Sequence, residues 1–316
     1  MIRSNGRDWS ISREFIGQAL RDKAAWVHDR LHLATALSVP AGEETITETL
    51  LLDLRVALGR HLEIEPFTKY QESRTTGADW EWWFCDGVGQ RMYGMRVQAK
   101  KLKVKAGKPY YDFAYKPRLS TKRQVDRLIS AADRDGVPAV YALYNGPELD
   151  LSCFAWRCCT EPKGAHVFGV SLLSGEAALR LADSGDMSLA QAGSLSRPWS
   201  CAALCPIALR VDEASPFWPG GGPDSLSFYA ADLVTDLIAQ EAEARQESTR
   251  QQALRAARGY RSWDESPPYV RELVLRASAS PEVRSERLDT TRLPRTLGGV
   301  AVFVAPPLSE DREGIQ

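Results

Sequence analysis

Two stretches near the first third of the chain alternate apolar and polar residues with the period of a β-strand. In the first, Trp80, Trp82 and Phe84 fall on one side, and Asp79 and Glu81 on the other. In the second, Val97 and Ala99 share a side, whereas Gln98 and Lys100 project together from the opposite one. Between them, residues Cys85 to Gly94 carry three glycines around Asp86, the chemistry of a longer hairpin loop. The pattern therefore predicts two adjacent strands that share a polar face. A carboxylate, a carboxamide and an ammonium would converge on it.

The flanking periodicities supply the rest of the fold. Ile16, Leu20, Val27, Leu31 and Ala34 recur at helical spacing, predicting an amphipathic helix over about 12–37. His28 and His32 lie four apart on it, without a third ligand to suggest a metal. After the Pro40-Ala-Gly42 break, a second helix is expected over about 43–60, its stripe formed by Ile46, Leu50, Leu51, Leu54 and Leu58. Residues 61–70 read as a short strand that Pro66 confines to an edge or an end. A helix over 119–135, ended by Gly136, precedes a β-rich run over 137–144. The predicted order is helix, three strands, helix, strand.

Beyond Asn145 the pattern predicts a strand over 164–170 and a short helix over 174–183. Farther on come a helix from about Ser225 with an exposed continuation over 241–258, a helix around 269–275 and a strand over 298–304. Residues 308–316 are expected to be disordered. The chain divides on this reading into an N-terminal helical segment (1–41), a core (42–172), a loop-rich and helical C-terminal region (173–307) and the tail.

Composition narrows the class. The chain has 316 residues, with 40 Lys and Arg against 41 Asp and Glu. No apolar run is long enough for a membrane span and the first residues lack a signal-peptide core, so a cytoplasmic protein is expected. The six cysteines read as buried thiols. A zinc site built from Cys153, Cys158 and Cys159 with Cys201 and Cys205 is the alternative, although neither group contains a Cys-x-x-Cys pair.

An acid at the start of one strand, followed by Gln-x-Lys on the next, resembles the active-site motif of the PD-(D/E)XK, or restriction-endonuclease-like, nuclease superfamily. The matching residues are Asp79, Gln98 and Lys100, and the Gln is most similar to the Mrr-like branch. The resemblance spans about residues 42–145. It implies an α/β fold with an αβββαβ core, a central mixed sheet flanked by helices, here with an N-terminal helix and a mixed C-terminal extension. It also implies a helix carboxylate over the site, for which Glu44 fits the spacing and Glu48 competes, and it makes Gln124 a familiar feature. The chain departs from the family's name by lacking a Pro before Asp79.

The implied activity is metal-dependent DNA endonuclease action, set in bacterial defence against foreign DNA. Asp79, Gln98 and Glu44 would hold Mg²⁺ or Mn²⁺, aided by the Ala99 carbonyl, while Lys100 positions the attacking water. Between Lys100 and Arg127 the chain is strongly basic, with Tyr110, Tyr111, Phe113 and Tyr115 interleaved. Lys101, Lys103, Lys105, Arg118, Lys122 and Gln124 are the expected DNA contacts. A homo-oligomer or a defence-system protein is a possible further partner, and no membrane is expected. The alternative function is a nuclease-fold module that binds nucleic acid or a protein without cutting.

Overall fold

The continuous apolar run Gly299-Val-Ala-Val-Phe-Val304 is the kind of strand that is buried on both faces, and it lies inside the principal sheet. A computed structural model of the protein describes residues 13–66, 78–118, 120–154, 164–205, 225–245, 258–279 and 299–305, the side chains of 241–245 excepted. Its strands are β1 (Leu62–Pro66), β2 (Trp80–Cys85), β3 (Met92–Lys101), β4 (Lys103–Lys105), β5 (Lys108–Tyr110), β6 (Ala139–Tyr144), β7 (Val170–Ser174), β8 (Arg197–Pro198), β9 (Tyr260–Arg261) and β10 (Gly299–Val304). The main sheet runs β1-β10-β2-β3-β6-β7-β8, and β9 adds to the start of β3. Strands β10 and β2 are parallel, as are β3 and β6, and the other neighbours are antiparallel. The protein is thus α/β with a mixed central sheet.

Helices cover both faces. On one lie α1 (Arg13–Ala36), α2 (Glu43–Leu58), the short α6 (Cys201–Leu204) and α7 (Leu226–Arg245), packed on Trp80, Trp82, Phe84, Val97 and Ala99. On the other lie α3 (Gln124–Asp135), α4 (Gly175–Ser184), α5 (Leu189–Ser194) and α8 (Pro268–Ser278), packed on Trp83, Tyr141, Leu143 and Val302. No described helix is long and apolar enough to cross a membrane.

The expected order of helix, three strands, helix and strand is present, and the β2–β3 hairpin has the expected alternation. In that hairpin Trp83 lies opposite Gly94, where a Cβ would meet the indole at 2.7 Å. The bare glycine lets the ring cross the neighbouring strand.

Three expectations need correction. The division at residue 173 does not describe the sheet, because β10 sits between β1 and β2, with Phe303 stacked on Phe84 at 4.8 Å. Residues 165–169 form 3-10 turns rather than a strand, and extended pairing begins at Val170. Helix α3 begins at Gln124, five residues later than expected. Helix α7 is enclosed: Leu226, Ala230, Leu233, Val234, Leu237 and Ile238 are all buried. The expected helix from Ser225 thus begins as a core element, apolar around most of its circumference. The expected tail over 308–316 and most of the 241–258 helix lie outside the described residues.

Candidate active site at the fork of β2 and β3

Strand β2 begins at Trp80, paired with Val97, while β3 continues to Lys101. Among the described residues the amides of Ala99 and Lys101 on that bared edge have no strand partner, and each takes a carboxylate instead. Ala99 N–H donates to Asp79 Oδ2 at 3.0 Å. Lys101 N–H donates to Glu43 Oε1 at 2.9 Å. Two residues of strand separate these donors, about 7 Å of rise. The fork therefore holds two acids on one edge because the backbone there lacks a neighbour to satisfy it.

Gln98 and Lys100 emerge beside this edge. Gln98 Nε2 donates to Asp79 Oδ2 and, at 3.1 Å, to the Ala99 carbonyl. Gln98 Oε1 accepts from Gln124 Nε2 at 2.8 Å, which ties the first residue of α3 to the strand. Lys100 Nζ lies 3.9 Å from Glu43 Oε2 and 5.1 Å from the centre of the Tyr115 ring. Both of the bonds to Asp79 use Oδ2, and among the described residues Oδ1 takes no hydrogen bond. Two buried polar atoms beside Gln98 also lack partners: Gln124 Oε1, and the hydroxyl of Tyr141, the residue opposite Gln98 on β6.

Burial raises the Asp79 carboxyl to about 7, and nearby Glu43 adds to the rise. The Ala99 amide, the Lys100 charge and the Gln98 hydrogen bond oppose it. Lys100 is lowered from the usual lysine range, first by burial, against the pull of Glu43 and Asp79. An enclosed acid near neutrality and a softened lysine at one fork are a familiar arrangement for acid–base work.

Asp79, Gln98 and Lys100 thus converge, as the alternation predicted. Glu44 does not join them: it is exposed, as is Glu48, and Glu43 is the carboxylate at the fork. At 3.6 residues per turn, Glu43 falls at the centre of the stripe that buries Ile46, Thr47, Leu50 and Leu54, and Glu44 falls at its margin. That signal was present in the sequence. Glu81, on the polar side of β2, belongs to a separate buried group in which it accepts from Tyr269 at 2.6 Å and from Trp83 Nε1, with Arg96 at 3.6 Å.

The expected DNA-contacting set divides. Lys105, Arg118 and Lys122 are exposed. Lys103 is half-buried and pairs with Asp112 at 3.4 Å, and the Lys101 ammonium donates to the Ala41 carbonyl at 2.6 Å. Gln124 is half-buried, with its amide group donating to Gln98. The aromatics divide too. Tyr111 and Phe113 are fully buried and stacked, with Tyr111 donating to Asn145, so they are core residues. Only Tyr115 is widely exposed, at 45%.

Cys85, Cys153, Cys201 and Cys205 are free thiols, and Cys158 and Cys159 lie outside the described residues. Among the described residues no group of three or more His, Cys, Asp and Glu is arranged to hold a metal. Any cation at the fork would thus rely on two carboxylates with neutral oxygens.

Residues 16–304 match a protein family described as a family of unknown function, DUF6615. The chain belongs to DUF6615. The match takes in both strands of the fork, α2, α3 and the central strand β10, so the site and its supports fall within the extent of the family. No curated protein and no solved structure matches this DUF6615 chain.

Proposed function

We propose that this protein is a metal-dependent DNA endonuclease of the PD-(D/E)XK kind, with its reaction centre at the fork of β2 and β3. The observation that carries the reading is the convergence of Asp79, Gln98, Lys100 and Glu43 on one bared strand edge. Asp79 Oδ1, the Gln98 carboxamide oxygen, the Ala99 carbonyl and Glu43 are the hard oxygen donors that Mg²⁺ or Mn²⁺ prefers. When bound, such a cation supplies Lewis acidity to a phosphate oxygen and makes a water more acidic.

A paired turn of the Gln98 and Gln124 carboxamides would complete this donor set. As it stands, the Gln98 amide group faces Asp79 and its oxygen faces Gln124. Reversing both carboxamides lets Gln98 Nε2 donate to the buried Gln124 oxygen and turns the Gln98 oxygen towards Asp79. The reversal makes Gln98 a ligand and gives up its bonds to Asp79 and the Ala99 carbonyl, so it is favoured only when a cation sits between these oxygens.

Lys100 orients the attacking water and offsets charge that develops on the phosphate, held in place by Glu43 and the Tyr115 face. The buried Tyr141 hydroxyl offers one further hydrogen bond to a water in the site. Exposed Lys105, Arg118 and Lys122 dock the nucleic-acid backbone near this centre. Action against foreign DNA in a bacterial cell is the setting that fits such a nuclease.

The second reading, a nuclease-fold module that binds without cutting, is favoured by the neutral Gln98, which leaves only Asp79 and Glu43 to supply charge. Purified protein incubated with plasmid, linear duplex and single strands decides between them. The endonuclease reading expects Mg²⁺-dependent cleavage that EDTA abolishes. Retention of DNA without cleavage under either condition selects the binding module.

A further inference from the structure

A groove of about 560 Å³ opens beside the fork, between the end of α1, the turn into α2, the end of β3 and the loop after β6. It adjoins the reaction centre through Lys101 and Ala41. Lys101 lines the groove while its amide is held by Glu43, and its ammonium is held by the Ala41 carbonyl on the same wall. The walls are of two kinds. Val39, Val104 and the half-buried Tyr110 are apolar or aromatic, and Val39 and Val104 remain 57% and 49% exposed. Lys101 and Lys103 add positive charge, and Glu148 adds a carboxylate acceptor.

We propose that this groove holds one unpaired nucleotide, with its base against Val39, Val104 and Tyr110 and its phosphate towards Lys101 and Lys103. The inference rests on the nuclease reading of the neighbouring fork. Its volume lies in the range of small-molecule sites. A base has a flat apolar face that covers exposed aliphatic and aromatic walls, while exocyclic amino groups can donate to Glu148. The phosphate brings the charge that two lysines favour. A base-paired residue cannot offer its face in this way, so the groove selects a strand with an unpaired residue next to the scissile bond. A free nucleotide shares the same chemistry and is the other source.

The test uses the full-length protein in EDTA, so that binding is read without cleavage. Three probes are titrated: a short blunt duplex, the same duplex with a single-stranded tail containing 2-aminopurine, and dAMP. The proposal expects the tailed probe to bind about tenfold more tightly than the blunt one, the worth of roughly one stacked base. The 2-aminopurine fluorescence should change on binding. Val104→Ser and Val39→Ser, uncharged changes at exposed positions, should remove that preference and leave blunt-duplex affinity within about twofold. Binding of dAMP that Val104→Ser weakens, without a tail preference, would keep the site and assign it to free nucleotides. Equal affinity for both duplexes with no dAMP binding, or a tail preference untouched by either variant, overturns the groove assignment and leaves the nuclease reading standing. Failure of the wild type to bind any DNA overturns both.

Discussion

Asp79 shows what a single position does here. Its carboxylate caps an unpaired strand amide, accepts from Gln98, and is raised to about 7, chiefly by burial. A folded-state pKa above the ordinary value of 3.8 means that the folded protein holds this proton more tightly than the unfolded chain. The favourable contribution is complete below about pH 4 and is lost as pH rises towards 7, on the order of 2–4 kcal/mol. Metal-free wild type should therefore lose more thermal stability than Asp79→Asn between pH 4 and 7, and Mg²⁺ should recover part of the loss. Parallel melting curves for the two proteins would disprove it. Gln98→Glu places a second carboxylate beside Asp79, so its Mg²⁺ affinity without DNA should rise about tenfold or more by calorimetry, while Asp79→Ala binds none. Equal affinities in all three proteins would mean that Asp79 and Gln98 share no cation. The Asp79, Gln98 and Lys100 trio was legible because strand alternation fixes which side chains meet. Glu43 is not the acid to which the family's spacing points, although the helical stripe centres on it, and the Gln124 partnership leaves no local mark because it joins residues 26 apart.

At the scale of elements, the β4–β5 ribbon is the feature the sequence concealed. Its run Lys-Val-Lys-Ala-Gly-Lys-Pro-Tyr has little apolar alternation and a Pro at position 109, so it read as a basic loop. Local turn chemistry builds it: Ala106 and Gly107 both take positive φ, at 50° and 74°, as a two-residue hairpin turn requires. Lys103, Lys105 and Lys108 ride on this ribbon, and Lys105 and Lys108 are exposed. Replacing all three with Ala should weaken duplex binding and flatten its dependence on salt by roughly two to three units in the log–log slope. An unchanged slope would assign these lysines to solvent. Lys101 is left out of that set because it ends β3 and lines the groove beside the fork, off the ribbon. The buried Tyr111 and Phe113 mark the other limit of local reading, since an aromatic in a basic run looks the same whether it faces a base or the core.

For the whole molecule, the position of β10 governs how the chain can be divided. A strand from the last part of the sequence lies between β1 and β2 and supports the strand that carries Asp79. Local periodicity identified it as a strand and could not show its neighbours, because pairing over more than two hundred residues leaves no local mark. Phe303→Ala removes a fully buried ring stacked on Phe84 and should cost about 3–5 kcal/mol in chemical denaturation, with the whole sheet unfolding in one transition. A separate transition for residues 173–307 would contradict that integration. The central proposal is chemical: that the fork of β2 and β3 hydrolyses phosphodiester bonds through a buried lysine beside two acids. It is tested most directly by the cleavage rate of Lys100→Ala against wild type on one DNA substrate in Mg²⁺, with circular dichroism to confirm the fold and a binding titration alongside. The account predicts a loss of about a hundredfold or more in rate, with DNA affinity within about threefold. Cleavage by the folded variant at the wild-type rate would contradict it.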